Sequence, residues 1–246
     1  MHEKISIYGI SYNNVTLDEA AALAEKMLEE ESNHMAVTPN AEIAYMAAHD
    51  VELGRIINSA DLVVADGIGV VYASRIYGTP VKQKVPGVEL GERILSLAAE
   101  KGKMVFFLGA KPGVAELAAS KISERYPGIV FAGIRDGYFK NDEDVIDEIN
   151  KSGADILFVC LGAPKQELWM AKNRDKLNVR LMLGLGGSLD SYASTVKRAP
   201  DIFIKLGLEW FYRLMKQPSR AGRMLALPKF GLTVLFKGRK FKQSEE

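Results

Sequence analysis

The sequence predicts an α/β protein of Rossmann-like type: a mainly parallel sheet flanked by helices, with a helical appendage at the C-terminus. Three observations carry that expectation. Met104 to Leu108, Ile129 to Ala132, Ile156 to Cys160 and Leu181 to Leu185 are apolar runs of strand length. Helical segments alternate with them, at Val114 to Tyr126, Val145 to Ser152 and Glu167 to Lys176, the order of a parallel, right-handed layer structure. The last stretch abandons that rhythm and turns basic and amphipathic. The expected division is an α/β domain over 1–194 and an appendage over 195–246.

Taken in order, Lys4 to Ile10 alternates as an opening strand. Thr16-Leu-Asp-Glu19 is a capping box ahead of a helix over Ala20 to Glu31. Met35 to Val37 is a short strand ending in Thr38-Pro39-Asn40, where Pro39 disfavours helix at Thr38 and forces a turn before a helix over Ala41 to His49. Leu62 to Ala65 is too apolar for a surface strand and too short for a helix, so it reads as a central strand buried on both faces. It stops at Asp66, with Gly67 and Gly69 beyond. Gly78-Thr-Pro80 and Pro86-Gly87 are turns, and Val88 to Lys101 is helical by period.

Open α/β sheets bind ligands at the carboxyl ends of their strands, and Asp66, Thr38 and Asn40 all fall there. A helix cap is the competing role for each. Gly67 and Gly69 would let backbone approach a ligand closely. The later strands end in loops of the same kind: Gly109-Ala-Lys-Pro-Gly113, Asp136-Gly-Tyr138-Phe139, Leu161-Gly162-Ala-Pro-Lys165-Gln166-Glu167, and Gly186-Gly187-Ser-Leu-Asp190. Amides at helix starts in such loops bind phosphate, so a nucleotide is the natural guest, with Tyr138 placed to stack on its base. None of the loops has the Gly-x-Gly-x-x-Gly spacing after a strand, and Gly184-Leu-Gly-Gly187 breaks it, which argues against a dinucleotide enzyme. Asp142-Glu-Asp144 matches an Asp-x-Asp metal motif but stands at a helix start, where acids complement the dipole. No metal and no cofactor are expected.

With 246 residues, 48% of them hydrophobic, the chain can bury a sizeable core. One cysteine, Cys160, and three scattered histidines, His2, His34 and His49, leave no disulfide framework and no Cys- or His-based zinc site. The amino terminus lacks a basic segment followed by an apolar core, so no signal peptide is expected. These features point to the cytoplasmic side.

The net charge of +1 conceals a division: from Thr195 to Glu246 there are 12 Lys and Arg against 4 Asp and Glu. Asp201 to Lys216 reads as a helix with Ile202, Phe203, Leu206, Trp210 and Leu214 along one side, ended by Pro218. Met224 to Phe236 is a second apolar run, followed by Lys237, Arg239, Lys240 and Lys242. It is shorter than the about 20 residues that span a bilayer. Flanked by basic residues, it suits the interface of an anionic membrane. The apolar stripe suits a subunit contact as well, so a homo-oligomer stays open. Nucleic acid is not expected, since the tail carries no base-reading module.

The chain resembles the WecG/TagA/CpsF glycosyltransferases, glycosyltransferase family 26. The resemblance rests on Thr38-Pro-Asn40, Ala65-Asp-Gly67, Gly109-Ala-Lys-Pro-Gly113, Leu161 to Glu167 with Trp169, Gly186-Gly187 with Asp190, Lys197-Arg-Ala-Pro200, Leu208-Glu-Trp210 with Arg213, and Pro218 with Arg220 and Arg223. The series runs in order over nearly the whole length and looks most like the TagA branch of wall teichoic acid synthesis. Ser194 departs from an expected glycine and Glu89 from an expected aspartate.

The resemblance implies transfer of N-acetylmannosamine from UDP-N-acetylmannosamine to undecaprenyl-diphosphate-linked N-acetylglucosamine, inverting and without metal. It implies that Asp66 is the base and that Thr38 and Gln166 line the same pocket. It further implies that Arg213, Arg220 and Arg223 belong to a tail that docks over the site on the inner face of the cell membrane. Two other readings compete: a soluble nucleotide-sugar epimerase or dehydrogenase, and a non-catalytic UDP-sugar-binding scaffold.

Overall fold

In the computed structural model, residues 3–195, 203, 212, 215 and 226–237 are described. The chain opens with a hairpin, β1 (Lys4–Ile7) and β2 (Ile10–Asn13), paired antiparallel as a sheet of its own. The single opening strand expected over Lys4 to Ile10 is therefore two strands. Tyr8 and Gly9 both take positive φ, 56° and 80°, the geometry of a two-residue hairpin turn whose twist matches the strands. The alternation continued past a turn that Tyr8 disguises.

Helix α1 (Leu17–Glu29) starts at the expected capping box: the Thr16 hydroxyl accepts from the Glu19 amide at 3.2 Å, and Glu19 Oε2 accepts from the Thr16 amide at 2.8 Å. There follow β3 (His34–Val37), α2 (Ala41–Ala47), α3 (Val51–Asn58), β4 (Leu62–Val63), α4 (Ile68–Ile76) and α5 (Gly87–Lys101). The regular half is β5 (Met104–Gly109), α6 (Val114–Arg125), β6 (Val130–Arg135), α7 (Asp142–Ser152), β7 (Ile156–Cys160), α8 (Lys165–Asn173), β8 (Leu181–Gly184) and α9 (Ser188–Tyr192). Beyond it, Ala226–Lys237 forms α10. The helix expected over Asp201 to Lys216, and Arg213, Arg220 and Arg223, lie outside the described residues apart from Phe203, Tyr212 and Met215.

The main sheet has the order β4-β3-β8-β7-β5-β6, every neighbour parallel. Its central strands are buried on both faces, as their unbroken apolar runs require. One apolar layer sets α1, α5, α6 and α9 against it; the other sets α2, α3, α4, α7, α8, α10 and the hairpin against the opposite face.

Contrary to expectation, β4 is an edge strand. Its burial has another source: Leu62 faces one layer and Val63 the other, and Asn13 Oδ1 of the hairpin accepts from the Val63 amide at 2.9 Å. The hairpin thus covers the open edge, and a covered edge strand has the same composition as a central one. Among the described residues no helix is long and apolar enough to cross a membrane. Helix α10 packs on α2 and α4, seating Phe230 and Val234 in the core, while Leu232, Leu235 and Phe236 face outward.

Candidate active site

The connections after β5 and β7 leave in opposite directions. Helix α6 carries the chain from β5 outward to β6 on one face, and α8 carries it from β7 toward β8 on the other. Such a reversal leaves a crevice beyond the strand ends. Gly109 and Gly162 stand at that crevice. Gly109 has a φ of 134°, and a Cβ on it would run into the Cys160 backbone, so a residue with a side chain would force β5 and β7 apart. The Ala110 amide donates to Cys160 O at 3.2 Å and the Gly137 amide to Ala110 O at 3.0 Å, tying three loops together. Lys165 Nζ donates to Gly137 O at 3.2 Å and lies 5.0 Å above the Phe139 ring. Tyr138 projects from the same loop with 68% of its surface exposed, open to stack on a planar group.

Two strands across, Thr38, Asp66, Gln166 and Gly186 gather at the ends of β3, β4, β7 and β8. Asp66 does not cap α4, whose N-cap is Gly67, with no side-chain bond. Instead Asp66 Oδ2 accepts from the Gly87 amide at 3.3 Å, at the first residue of the 15-residue helix α5. The positive end of that helix favours a negative charge there. Tyr12 of the hairpin is fully buried nearby; burial first, and then the charge of Asp66, hold its hydroxyl well above the ordinary tyrosine range. That hydroxyl donates to Pro39 O at 3.3 Å.

Thr38 is buried, and its hydroxyl donates to Gly184 O at 3.4 Å. Gly87 makes room for it, since a Cβ there would lie 2.8 Å from Thr38 Oγ1. Gln166 is buried to 2% exposure; its Oε1 accepts from the Gly186 amide at 2.9 Å and its Nε2 donates to Glu167 Oε1 at 2.9 Å.

The sequence-predicted residues divide in use. Asn40 caps α2, accepting from the Ile43 amide at 3.0 Å, the ordinary role of Asn before a helix. Gly67 takes φ 85°, with Asn40 Cβ 3.5 Å from where its own Cβ would be, while at Gly69 a Cβ would fall 2.8 Å from that of Ala41. The close approach at Gly69 is therefore of α4 to α2 rather than to a ligand. Gly186 has φ 55°, Gly187 leads into α9, and Asp190 in the first turn of α9 accepts from the Thr195 hydroxyl at 3.4 Å.

Asp142, Glu143 and Asp144 occupy the first turn of α7, and Asp142 accepts from Trp169 Nε1 at 3.1 Å and from Lys172 Nζ at 2.8 Å. The Lys172 bond holds its carboxyl below the usual range. Among the described residues no group of three or more His, Cys, Asp or Glu is disposed to hold a metal.

Sequence reasoning missed Gly87, Gly184 and Glu167. The signal for Gly87 was Pro-Gly directly before a helical period, which marks a helix start and hence a free amide. Gly184 and Glu167 stood inside loops the sequence singled out, but nothing local marked their contacts with Thr38 and Gln166.

Together the two groups make one edge: a carboxylate by a helix N-terminus, a buried side-chain amide, a hydroxyl, and glycine-rich loops after β5, β7 and β8. The chain belongs to the glycosyl transferase WecG/TagA/CpsF family, which it matches over residues 5–244. Among its relatives is an N-acetylglucosaminyldiphosphoundecaprenol N-acetyl-beta-D-mannosaminyltransferase of Bacillus spizizenii (strain ATCC 23059 / NRRL B-14472 / W23), 39% identical over 85% of this chain and 81% of the relative. Proteins of the same name from Bacillus subtilis (strain 168) and Staphylococcus aureus (strain MRSA252) are 38% and 37% identical, over 94% and 98% of this chain and 90% and 96% of theirs.

Proposed function

We propose that the protein transfers N-acetylmannosamine from UDP-N-acetylmannosamine to undecaprenyl-diphosphate-linked N-acetylglucosamine, inverting the anomeric carbon and building the wall teichoic acid linkage unit. The observation that carries this reading is the 37–39% identity, over most of both chains, to relatives named for that transfer. The geometry agrees with it. Asp66 accepts the proton of the acceptor hydroxyl as that oxygen attacks the anomeric carbon. The bond from that carbon to the UDP oxygen breaks, and UDP leaves with the electron pair. Thr38 and Gln166 line the same pocket, and the glycine loops after β5, β7 and β8 bring helix-start amides to the diphosphate, the Gly186 amide itself being held by Gln166 Oε1.

In this reading 1–194 is the catalytic domain and 195–246 the appendage, whose Arg213, Arg220 and Arg223 complete the stabilisation of the leaving diphosphate without a metal. The appendage rests on the inner face of the membrane. Support comes from the outward Leu232, Leu235 and Phe236 of α10, which lie in a tail rich in Lys and Arg. A second copy of the chain is the competing occupant of that face; sedimentation with and without vesicles separates the two.

The deciding experiment incubates the protein with a panel of UDP-sugars and a short-chain lipid-diphosphate N-acetylglucosamine, and identifies products by mass. The expected result is a disaccharide lipid from UDP-N-acetylmannosamine alone, insensitive to EDTA. Turnover of a UDP-sugar without the lipid, or nucleotide binding with no turnover, overturns the assignment.

A further inference from the structure

Glu167 is a glutamate buried to 1% exposure beside the proposed site. Burying a carboxylate is costly unless something uses it. It stands at the third position of α8, where a glutamate usually reaches back to the N-cap amide in a capping box. That role is closed here, because the N-cap is Pro164, which has no N–H. Its Oε1 accepts instead from the side-chain amide of its own neighbour, Gln166, at 2.9 Å. Adjacent helical side chains normally point apart, so this pair holds an arrangement that helix geometry alone does not give.

The consequence lies one bond further on. With Nε2 committed to the carboxylate, Gln166 must turn Oε1 the other way, and Oε1 accepts from the Gly186 amide at 2.9 Å. The Gln166 amide lies close against the end of β8: a Cβ on Gly184 would be 3.2 Å from Nε2. Gly184 O is in turn the acceptor of the Thr38 hydroxyl. A relay Glu167–Gln166–Gly186 thus runs from the start of α8 to the loop after β8.

We propose that Glu167 is the positioning residue of the site: its carboxylate fixes which way the Gln166 amide faces and so holds the Gly186–Gly187 loop against the donor. It acts on the site through Gln166. This rests on the proposed transferase reading only for its catalytic consequence; the hold on Gln166 stands independently.

The test uses the full chain and three variants. Glu167→Gln keeps an oxygen that accepts from Gln166, Glu167→Ala does not, and Val145→Ala in α7 serves as a destabilised core control. Two quantities are read: hydrogen exchange of the Gln166 side-chain amide by NMR, and steady-state transfer with varied UDP-N-acetylmannosamine. Glu167→Ala is expected to raise exchange at least tenfold and donor KM at least tenfold, with Glu167→Gln within threefold of wild type and Val145→Ala unchanged in KM. Unaltered exchange in Glu167→Ala, or altered exchange with unaltered KM, overturns the proposal. Failure of Glu167→Gln to rescue also overturns it, since the charge rather than the position would then matter. A wild-type protein that transfers no sugar defeats the transferase reading, and the exchange measurement still decides whether Glu167 holds Gln166.

Discussion

The Gly87 amide donates to Asp66 Oδ2 across 3.3 Å, so the first residue of α5 faces the carboxylate beyond β4. The contact crosses from one helical connection to another, and its donor is backbone. A carboxamide at position 66 would still accept from that amide, which makes a clean variant available.

Asp66→Asn is expected to lower kcat by at least about 100-fold, the usual scale of general-base loss, with UDP affinity within a few-fold by calorimetry. Turnover within tenfold of wild type would remove Asp66 as the base.

Gly109→Ala places a methyl group against the Cys160 backbone at a φ of 134°. The expected cost is about 2 kcal/mol or more in urea unfolding, together with weakened UDP binding, because β5 and β7 must separate where the crevice forms. An alanine variant with unchanged stability would show that this junction yields.

Helix α10 allows its two faces to be told apart. Phe230→Ala empties a core position with 3% exposure and should cost about 3 kcal/mol by chemical denaturation. Phe236→Ser, at 84% exposure, should change stability by less than about 0.5 kcal/mol while reducing flotation with anionic liposomes. Equal flotation of Phe236→Ser and wild type would discount that face as the lipid contact.

Burial pushes the Cys160 thiol up to about 12, against roughly 8.5 in an unfolded chain. Between those values the native state keeps a proton that the unfolded state releases. Stability from this group is therefore full below roughly 8.5 and is lost as pH rises toward the folded value. Cys160→Ala should make the alkaline decline of unfolding free energy shallower. A thiol reagent at pH 8 should label the native protein only at its unfolding rate; prompt stoichiometric labelling would contradict the burial.

Much of this was legible in the sequence because it is local. The Thr16 to Glu19 capping box and the apolar runs of β5, β7 and β8 encode their conformation within a few residues, and the loops after them follow by position. The Tyr8–Gly9 turn was hidden because a tyrosine at positive φ has no sequence mark. The edge position of β4 was hidden because the hairpin, far earlier in the chain, supplies its cover. The site's internal wiring was the least legible. Thr38 finds Gly184 across 146 residues and Gln166 finds Gly186 across 20, and no periodicity reports such meetings. The family resemblance implied roles for Thr38, Asp66 and Gln166; it carried Glu167 in its motif without a role and did not point to Gly87, whose backbone amide meets Asp66.

The Tyr8 and Phe230 rings pack at a tilt with centroids 4.6 Å apart, although they stand near opposite ends of the chain. Synthesis proceeds at about 5–20 residues per second, so the hairpin emerges from the ribosome on the order of ten seconds before its cover exists. During that interval the nascent chain carries an open apolar patch around Tyr8 and Tyr45, a binding surface for holdase chaperones. A chain cut short before α10 leaves that patch uncovered for its whole lifetime.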